Sequence, residues 1–121
     1  MAEVRDGSDG IGCKPVHLTD GDFDDITGKH SLVLVHFWAS WCGPCQASAP
    51  MIEELAKEYL GRVLVGKLNV NENPQTTKRF QVSKIPTMLV MKNGKEIDRI
   101  VGYVPFLTKR RIKAVLKKHL K

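Results

Sequence analysis

The segment from Leu32 to Trp38 constrains the fold more than any other part of the sequence. It is β-branched, aromatic and almost continuously apolar, with His36 as the one interruption. A strand with one face in water shows alternating apolar and polar residues, whereas a continuous apolar run is typical of a strand covered on both faces. We therefore predict a central strand here, with further layers of structure on both sides of its sheet.

Other patterns place further elements around this strand. Residues 16–18 suit a short edge strand, and residues 19–28 a short helix whose acidic residues favour its start. A longer helix is indicated by apolar residues at three- and four-residue steps, and Pro50 is expected to kink it. The members of this apolar stripe are Ile52, Leu55, Ala56, Tyr59 and Leu60.

The second half of the chain predicts a strand, a short helix, a hairpin and a final helix. Residues 63–70 form the strand and residues 71–80 the polar helix, while Asn93-Gly94 is a strong hairpin signal between two apolar runs. A last helix buries Ile112, Val115, Leu116 and Leu120. The resulting order of five strands and four helices predicts an α/β protein with a mixed sheet between helices.

The chain of 121 residues is the size of one domain. Residues 1–14 resemble a loose leader without the apolar core of a secretory signal, so we expect the folded domain to span residues 15–121 in a cytoplasmic protein. The longest strongly apolar stretch, residues 32–39, is too short to cross a bilayer, and no membrane partner is expected.

The net charge of +6 is concentrated near the end of the sequence, where residues 106–121 hold seven basic residues and no acidic one. Such a cluster can attract nucleic acid or acidic partners. No nucleic-acid motif or interleaved aromatics accompany it, so the interpretation we favour is a solvated helix face without nucleic-acid binding.

The candidate chemical site is the pair Cys42 and Cys45, which follows the predicted central strand. At a helix start, two cysteines with two residues between them are close enough to form a disulfide, and the helix N-terminus favours a thiolate. Pro44 fits the first helical turn, where its missing N–H is harmless. The spacing predicts a nucleophilic Cys42 and a Cys45 that resolves the mixed disulfide.

Three alternatives assign the cysteines no redox chemistry. A zinc site would need further ligands, and the candidates Cys13, His17, His30, His36 and His119 lack paired ligand spacing. A structural disulfide would close a very short loop and would stabilise the fold less than a longer bridge. Buried, unreactive cysteines fit poorly with a helix start beside Gly43 and Pro44.

Several motifs together resemble the thioredoxin family over residues 15–120. They are Phe37-Trp38-Ala39-Ser40-Trp41-Cys42-Gly43-Pro44-Cys45, Ala49-Pro50, Lys67-Leu68-Asn69, Ile85-Pro86-Thr87 and Lys92-Asn93-Gly94. The resemblance implies the thioredoxin fold and a disulfide reductase that needs no cofactor or metal. It also implies a monomer that acts on disulfide-containing proteins and is recharged by a thioredoxin reductase.

The same resemblance implies roles for individual residues. The Ile85–Pro86 peptide bond is expected to be cis and to face the cysteines, while Trp38 and Pro50 are structural. The residues expected to form an apolar groove for partners are Trp41, Gly43, Pro44, Ile85, Pro86, Thr87, Val101 and Gly102.

Position 36 departs from the family pattern. Thioredoxins usually carry a buried aspartate in the strand before the motif, where it assists proton removal from the second cysteine, and this chain has His36 instead. Lys67 matches the family's lysine near that acid and lacks its usual partner here. We expect a buried, neutral His36 that either accepts a proton transiently or only fills strand space.

Two other functions are consistent with these residues. One is a thioredoxin-like oxidase or isomerase, and the other is a binding subunit that docks partners through the basic final helix without redox turnover. Gly43-Pro44 between the cysteines favours the reductase.

Overall fold

The five strands and four helices follow one another in the order that the sequence predicts. A computed structural model describes residues 14–120, so that Cys13 and most of the predicted leader lie outside the described residues. The elements are β1 (Val16–His17), α1 (Phe23–Gly28), β2 (Leu32–Trp38), α2 (Gly43–Glu58), β3 (Leu64–Asn69), α3 (Pro74–Arg79), β4 (Thr87–Lys92), β5 (Lys95–Val101) and α4 (Leu107–His119).

The strands form one mixed sheet in the order β1-β3-β2-β4-β5. β2 lies in the centre, parallel to β3 on one side and antiparallel to β4 on the other. Every residue of β2 except Trp38 is buried, as the apolar run predicts. The antiparallel register places Phe37 opposite Thr87, so the loop that precedes β4 lies beside the end of β2.

Alternate residues of β2 supply two separate apolar cores. Leu32 and Leu34 pack with side chains of α2 and α4 on one face of the sheet. Val33, Val35 and Phe37 pack on the other face with Leu18, Phe23 and neighbouring residues. The sheet is therefore a middle layer, which explains why β2 is apolar at every position except His36.

The hairpin between β4 and β5 closes as the Asn-Gly pair predicts. Lys92 pairs with Lys95, and the two residues between them, Asn93 and Gly94, have φ of 52° and 82°. Both values lie in the left-handed region that a two-residue type I′ turn requires. The turn lies at the end of the hairpin opposite the Thr87–Val101 pair.

The acidic segment before α1 serves two helices. α1 begins at Phe23 rather than near Thr19, with Asp22 as the residue before it. Asp20 instead accepts hydrogen bonds from the backbone N–H groups of Gln75 and Thr76 at the start of α3, at 3.1 and 2.8 Å. This long-range cap corrects the prediction that all the acidic residues belong to the first helix.

The two longest helices extend along one face of the sheet. α2 continues through Pro50 as one helix, and α4 is joined to it by ion pairs from Lys109 to Glu54 and from Lys113 to Glu58. Among residues 14–120, no helix is both long and apolar enough to cross a membrane.

Gly66 in β3 leaves the space that the edge strand β1 needs. A Cβ atom at this position would lie 2.6 Å from Cδ1 of buried Leu18 and 3.3 Å from the carbonyl oxygen of Val16. We therefore expect Gly66→Ala to lower the free energy of unfolding by about 1–3 kcal/mol through overpacking. Gly28→Ala is the control, because a Cβ there meets nothing within 4 Å. Equal urea midpoints for the two variants would contradict this account.

Candidate active site

Cys42 and Cys45 lie at the start of α2, directly after the central strand. They form a disulfide, with their Cα atoms 5.2 Å apart. Cys42 is the N-cap residue, and its Sγ accepts the backbone N–H of Cys45 at 3.2 Å. Because a helix N-terminus presents unpaired N–H groups, it stabilises negative charge on this sulfur once the disulfide is reduced.

The loop between α3 and β4 faces the disulfide. The Ile85–Pro86 peptide bond is cis, as the resemblance implied, and the carbonyl oxygen of Ile85 lies 3.8 Å from Sγ of Cys42. The N–H of Gly102 donates to the carbonyl oxygen of Pro86 at 2.7 Å, which ties this loop to the end of β5. Two distant segments of the chain thus meet at the sulfur.

The predicted groove residues differ in what they expose. Trp41 is 68% exposed and Val101 51%, whereas Pro86 and Thr87 are buried. The Thr87 hydroxyl donates to the carbonyl oxygen of Lys84 at 2.6 Å, so its side chain stabilises the loop and has no free surface for a partner. The exposed apolar surface next to Cys42 is therefore provided mainly by Trp41 and Val101.

His36 is buried on the α2 side of the sheet, only 3% exposed. Its Nε2 lies 3.1 Å from the hydroxyl oxygen of Ser48 in α2. That hydroxyl donates to the carbonyl oxygen of Cys45 at 3.0 Å, so the imidazole is the donor in the His36–Ser48 hydrogen bond. A continuous series of hydrogen bonds therefore runs from His36 through Ser48 to the backbone of Cys45.

The surroundings of His36 favour its neutral form. Desolvation by burial, followed by the charge of the Lys67 ammonium, lowers the pKa of His36 from 6.5 to about 4. Lys67 pairs with His36 across β2 and β3, and its Nζ lies 5.3 Å from the centre of the Trp38 ring. The prediction of a neutral imidazole therefore agrees with its packing.

Trp38 lies between Lys67 and the two sulfur atoms. Its side chain packs against the small cluster of Ala39, Cys42 and Cys45. Its indole Nε1 is buried and has no hydrogen-bond partner among residues 14–120. The ring separates Lys67 from the disulfide and supplies one wall of the site.

Ser48 is the site residue that the sequence analysis missed. It is fully buried, although it is polar and lies in a helix. A signal was available, because Cys45, Ser48 and Ile52 follow one another at three- and four-residue steps and so share the inward face of α2. A serine in such a stripe requires a hydrogen-bond partner inside the protein.

The zinc alternative finds no support in the arrangement of the described residues. Between residues 14 and 120, no group of three or more His, Cys, Asp or Glu side chains is placed to hold a metal ion. Cys13, one of the ligands considered, lies outside this range.

Comparison with known proteins identifies the family. The sequence profile of the family described as Thioredoxin matches residues 14–118. The chain is also 46% identical over 105 residues to thioredoxins of Staphylococcus saprophyticus and Staphylococcus aureus, an alignment that covers 87% of this chain and 97% of each relative. The chain belongs to the thioredoxin family.

Solved thioredoxin structures confirm the fold. A mutant thioredoxin from Halobacterium salinarum has a TM-score of 0.81 at 27% identity, covering 91% of this chain and 94% of its own. The thioredoxin of Plasmodium falciparum has a TM-score of 0.76 at 32% identity, covering 86% and 98%. With family and paired cysteines both present, the chain is a thiol-disulfide oxidoreductase that acts by dithiol-disulfide exchange.

The buried His36 makes a testable contribution to acid sensitivity. Its pKa is lowered on folding, so the stability it permits is complete above pH 6.5 and is lost as the pH falls toward about 4. Between pH 7 and 5, we expect wild type to lose about 2 kcal/mol more free energy of unfolding than His36→Gln. Urea titrations at both pH values measure this difference, since other titrating groups are common to both proteins. Equal losses would mean that His36 is not buried in its neutral form.

Proposed function

We propose that this thioredoxin-family protein reduces disulfide bonds of other proteins, with Cys42 as the nucleophile and Cys45 as the resolving cysteine. The observation that carries the proposal is the position of Cys42 Sγ, at the N-terminus of α2 and 3.8 Å from the Ile85 carbonyl oxygen. A partner strand that lies along the loop of Ile85 and Pro86 brings its disulfide to this sulfur.

The reaction consists of two exchanges. In the first, the Cys42 thiolate attacks one sulfur of the substrate disulfide, and the other substrate sulfur leaves as a thiolate that takes up a proton. In the second, Cys45 loses its proton and attacks Cys42 Sγ, which releases the remaining substrate thiolate. Two electrons pass to the substrate, and Cys42 and Cys45 become the disulfide.

The residues around the cysteines orient the partner. Cys42 itself is only 6% exposed, whereas Gly43 and Pro44, the first residues of α2, are exposed, so a substrate reaches the sulfur from their side. Trp41 and Val101 give an apolar surface on either side, while Ile85, Pro86 and Gly102 supply backbone beside it. Trp38 acts through packing and Thr87 through the structure of its loop, while Pro50 is exposed within α2.

His36 is a poor proton acceptor for Cys45. A thiol has an ordinary pKa of about 8.5, and the pKa of His36 is about 4, so full proton transfer would cost about 6 kcal/mol. We infer that His36 positions Ser48 and the start of α2, and that the proton of Cys45 passes to solvent or to the departing substrate sulfur.

The partners follow from the chemistry. Each cycle leaves the protein oxidised, so a separate thioredoxin reductase must return two electrons, and no organic cofactor or metal takes part. We propose a monomer that works in the cytoplasm, where a reducing pool keeps such a pair reduced between reactions.

The order of the two exchanges predicts which intermediate accumulates. Cys45→Ser should capture substrate proteins as mixed disulfides through Cys42, because nothing can displace them. Cys42→Ser should capture none and should reduce no substrate. Non-reducing gel electrophoresis after incubation with a disulfide-containing protein such as insulin separates these outcomes. If Cys42→Ser captured substrate as readily as Cys45→Ser does, Cys42 would not be the nucleophile.

The role of His36 predicts a small kinetic effect. Removal of a general base costs roughly 100-fold or more in rate. Because His36→Gln keeps a donor for Ser48, we expect the rate of insulin reduction at pH 7 to change by less than about threefold, far below that loss. His36→Asp tests the same position with an ionisable acid and should alter the pH profile of the rate. A roughly 100-fold loss in His36→Gln with unchanged stability would make His36 the base.

A further inference from the structure

Exposed apolar side chains extend from the active site to the first turn of α4. The segment after Gly102, whose N–H is bound to the Pro86 carbonyl, carries Val104 at 55%, Phe106 at 85% and Leu107 at 45% exposure. Together with Val101 they lie on one segment that begins next to the Ile85–Pro86 loop and leads away from it to α4. Adjoining exposed apolar residues of this kind mark an interaction surface.

Phe106 is held in an unfavourable backbone conformation while its ring points into solvent. Its φ is 68°, in the left-handed region, and it precedes α4 without making a side-chain cap. A bulky residue in this region is strained, because its side chain crowds the backbone. Because the ring is 85% exposed, its packing within the described residues offsets little of this strain. A bound partner that covers the ring would offset more of it.

The outer face of α4 adds strong positive charge to this end of the molecule. The helix has six lysine and arginine residues and no acidic one. Lys109 and Lys113 pair with Glu54 and Glu58, while Arg110 is exposed and has no ion pair among residues 14–120. The N-terminus of α4 carries the positive end of the helix dipole, and its first turn contains no acid to offset it.

Phe106 and the cations meet in one open hollow of about 390 Å³. Its lining residues are Phe106, Lys109, Arg110 and Lys113. Lys109 and Lys113 are paired with glutamates of α2, so among the described residues the hollow offers an apolar ring beside one unpaired cation, Arg110. This combination suits a peptide segment that carries both an apolar side chain and carboxylates. We name this hollow, with the exposed residues Val104 and Leu107, the α4 surface.

We propose that the α4 surface docks an acidic, extended segment of the disulfide-containing protein while Cys42 attacks its disulfide. This inference rests on the proposed reductase function and adds a class of substrate to it. An apolar side chain of the segment covers Phe106, and its carboxylates contact Arg110. A nucleic acid is less suited, because the α4 surface offers one aromatic ring and no row of rings on which successive bases could stack.

The pairing of α4 with α2 sets the distance expected between the acidic residues of the substrate and its cysteine. Lys109 is level with Glu54, which is eleven residues beyond Gly43 in α2 and therefore about 16 Å along the helix. An extended peptide covers this distance in about five residues. The favoured substrates should carry Asp or Glu about five to seven residues from the attacked cysteine.

Two matched peptide disulfides test the proposal. One carries three aspartates five to seven residues from its cysteine, the other three lysines, and both are mixed with prereduced protein at low salt. We expect wild type to reduce the acidic peptide roughly tenfold faster, with the preference falling at 0.5 M salt. Arg110→Glu should remove most of this preference. With one leucine placed among the charged residues of each peptide, Phe106→Ala should slow reduction of the acidic peptide at both salt concentrations, because an apolar contact is not screened by salt.

Controls separate this surface from net charge and from the chemistry. Lys95→Glu makes the same charge change at the far end of the β4–β5 hairpin and should keep the preference within about twofold. All variants should reduce the small uncharged compound 2-hydroxyethyl disulfide at the wild-type rate. If wild type itself fails on that compound, the reductase function is wrong, whatever the peptides show.

Three results would overturn the docking proposal. Equal rates for the two peptides would show that the surface does not select an acidic partner. If Lys95→Glu lost as much of the preference as Arg110→Glu, the preference would come from net charge alone. If Arg110→Glu instead abolished binding of a single-stranded DNA oligonucleotide at 0.15 M salt while the peptides reacted equally, the surface would belong to nucleic acid.

Discussion

The active site depends on β2 being hydrogen-bonded on both edges and buried on both faces. Its parallel pairing with β3 and antiparallel pairing with β4 bring three chain segments to the same end of the sheet. Trp38 ends β2 there, and Thr87 begins β4 beside it, so the Ile85–Pro86 loop must lie next to Cys42. The 3.8 Å approach of the Ile85 carbonyl to the sulfur follows from this register. A slip of one residue would turn every side chain of β2 to the opposite face.

The sequence predicts those features that arise from local patterns. The apolar run of β2 and the Asn93-Gly94 turn have their own periodicity or backbone preference, and both lie where we predicted them. The pairing of Asp20 with the start of α3 has no such pattern, because its partners are 55 and 56 residues away. Thr87 illustrates the same limit, since a motif names the residue but its exposure depends on the loop around it.

The residues of the active site differ in the same way: some can be identified from the sequence, and others only from the structure. Cys42, Cys45 and the Pro86 loop could be identified because family motifs name them. Ser48 is not part of any motif: its helical spacing from Cys45 indicates only that it faces inward, and its partner, the buried imidazole, is known only from the structure. His36 and Ser48 lie twelve residues apart on a strand and a helix, so their hydrogen bond requires the packing of α2 on β2. A buried polar residue costs stability unless it is paired, and each of these two supplies the other's partner.

A neutral residue at position 36 also changes the electrostatics of the sulfur pair. A buried carboxylate would place negative charge beneath the cysteines and oppose a thiolate above it, whereas a neutral imidazole does not. The fixed positive contributions that remain are the N-terminus of α2 and the Lys67 ammonium behind the Trp38 ring. Both favour a thiolate at Cys42, the nucleophile that we propose, whereas the neutral imidazole is a poor acceptor for the proton of Cys45. In the mechanism that we propose, this balance supports the attack by Cys42 and leaves the second exchange dependent on proton transfer to solvent or to the leaving sulfur.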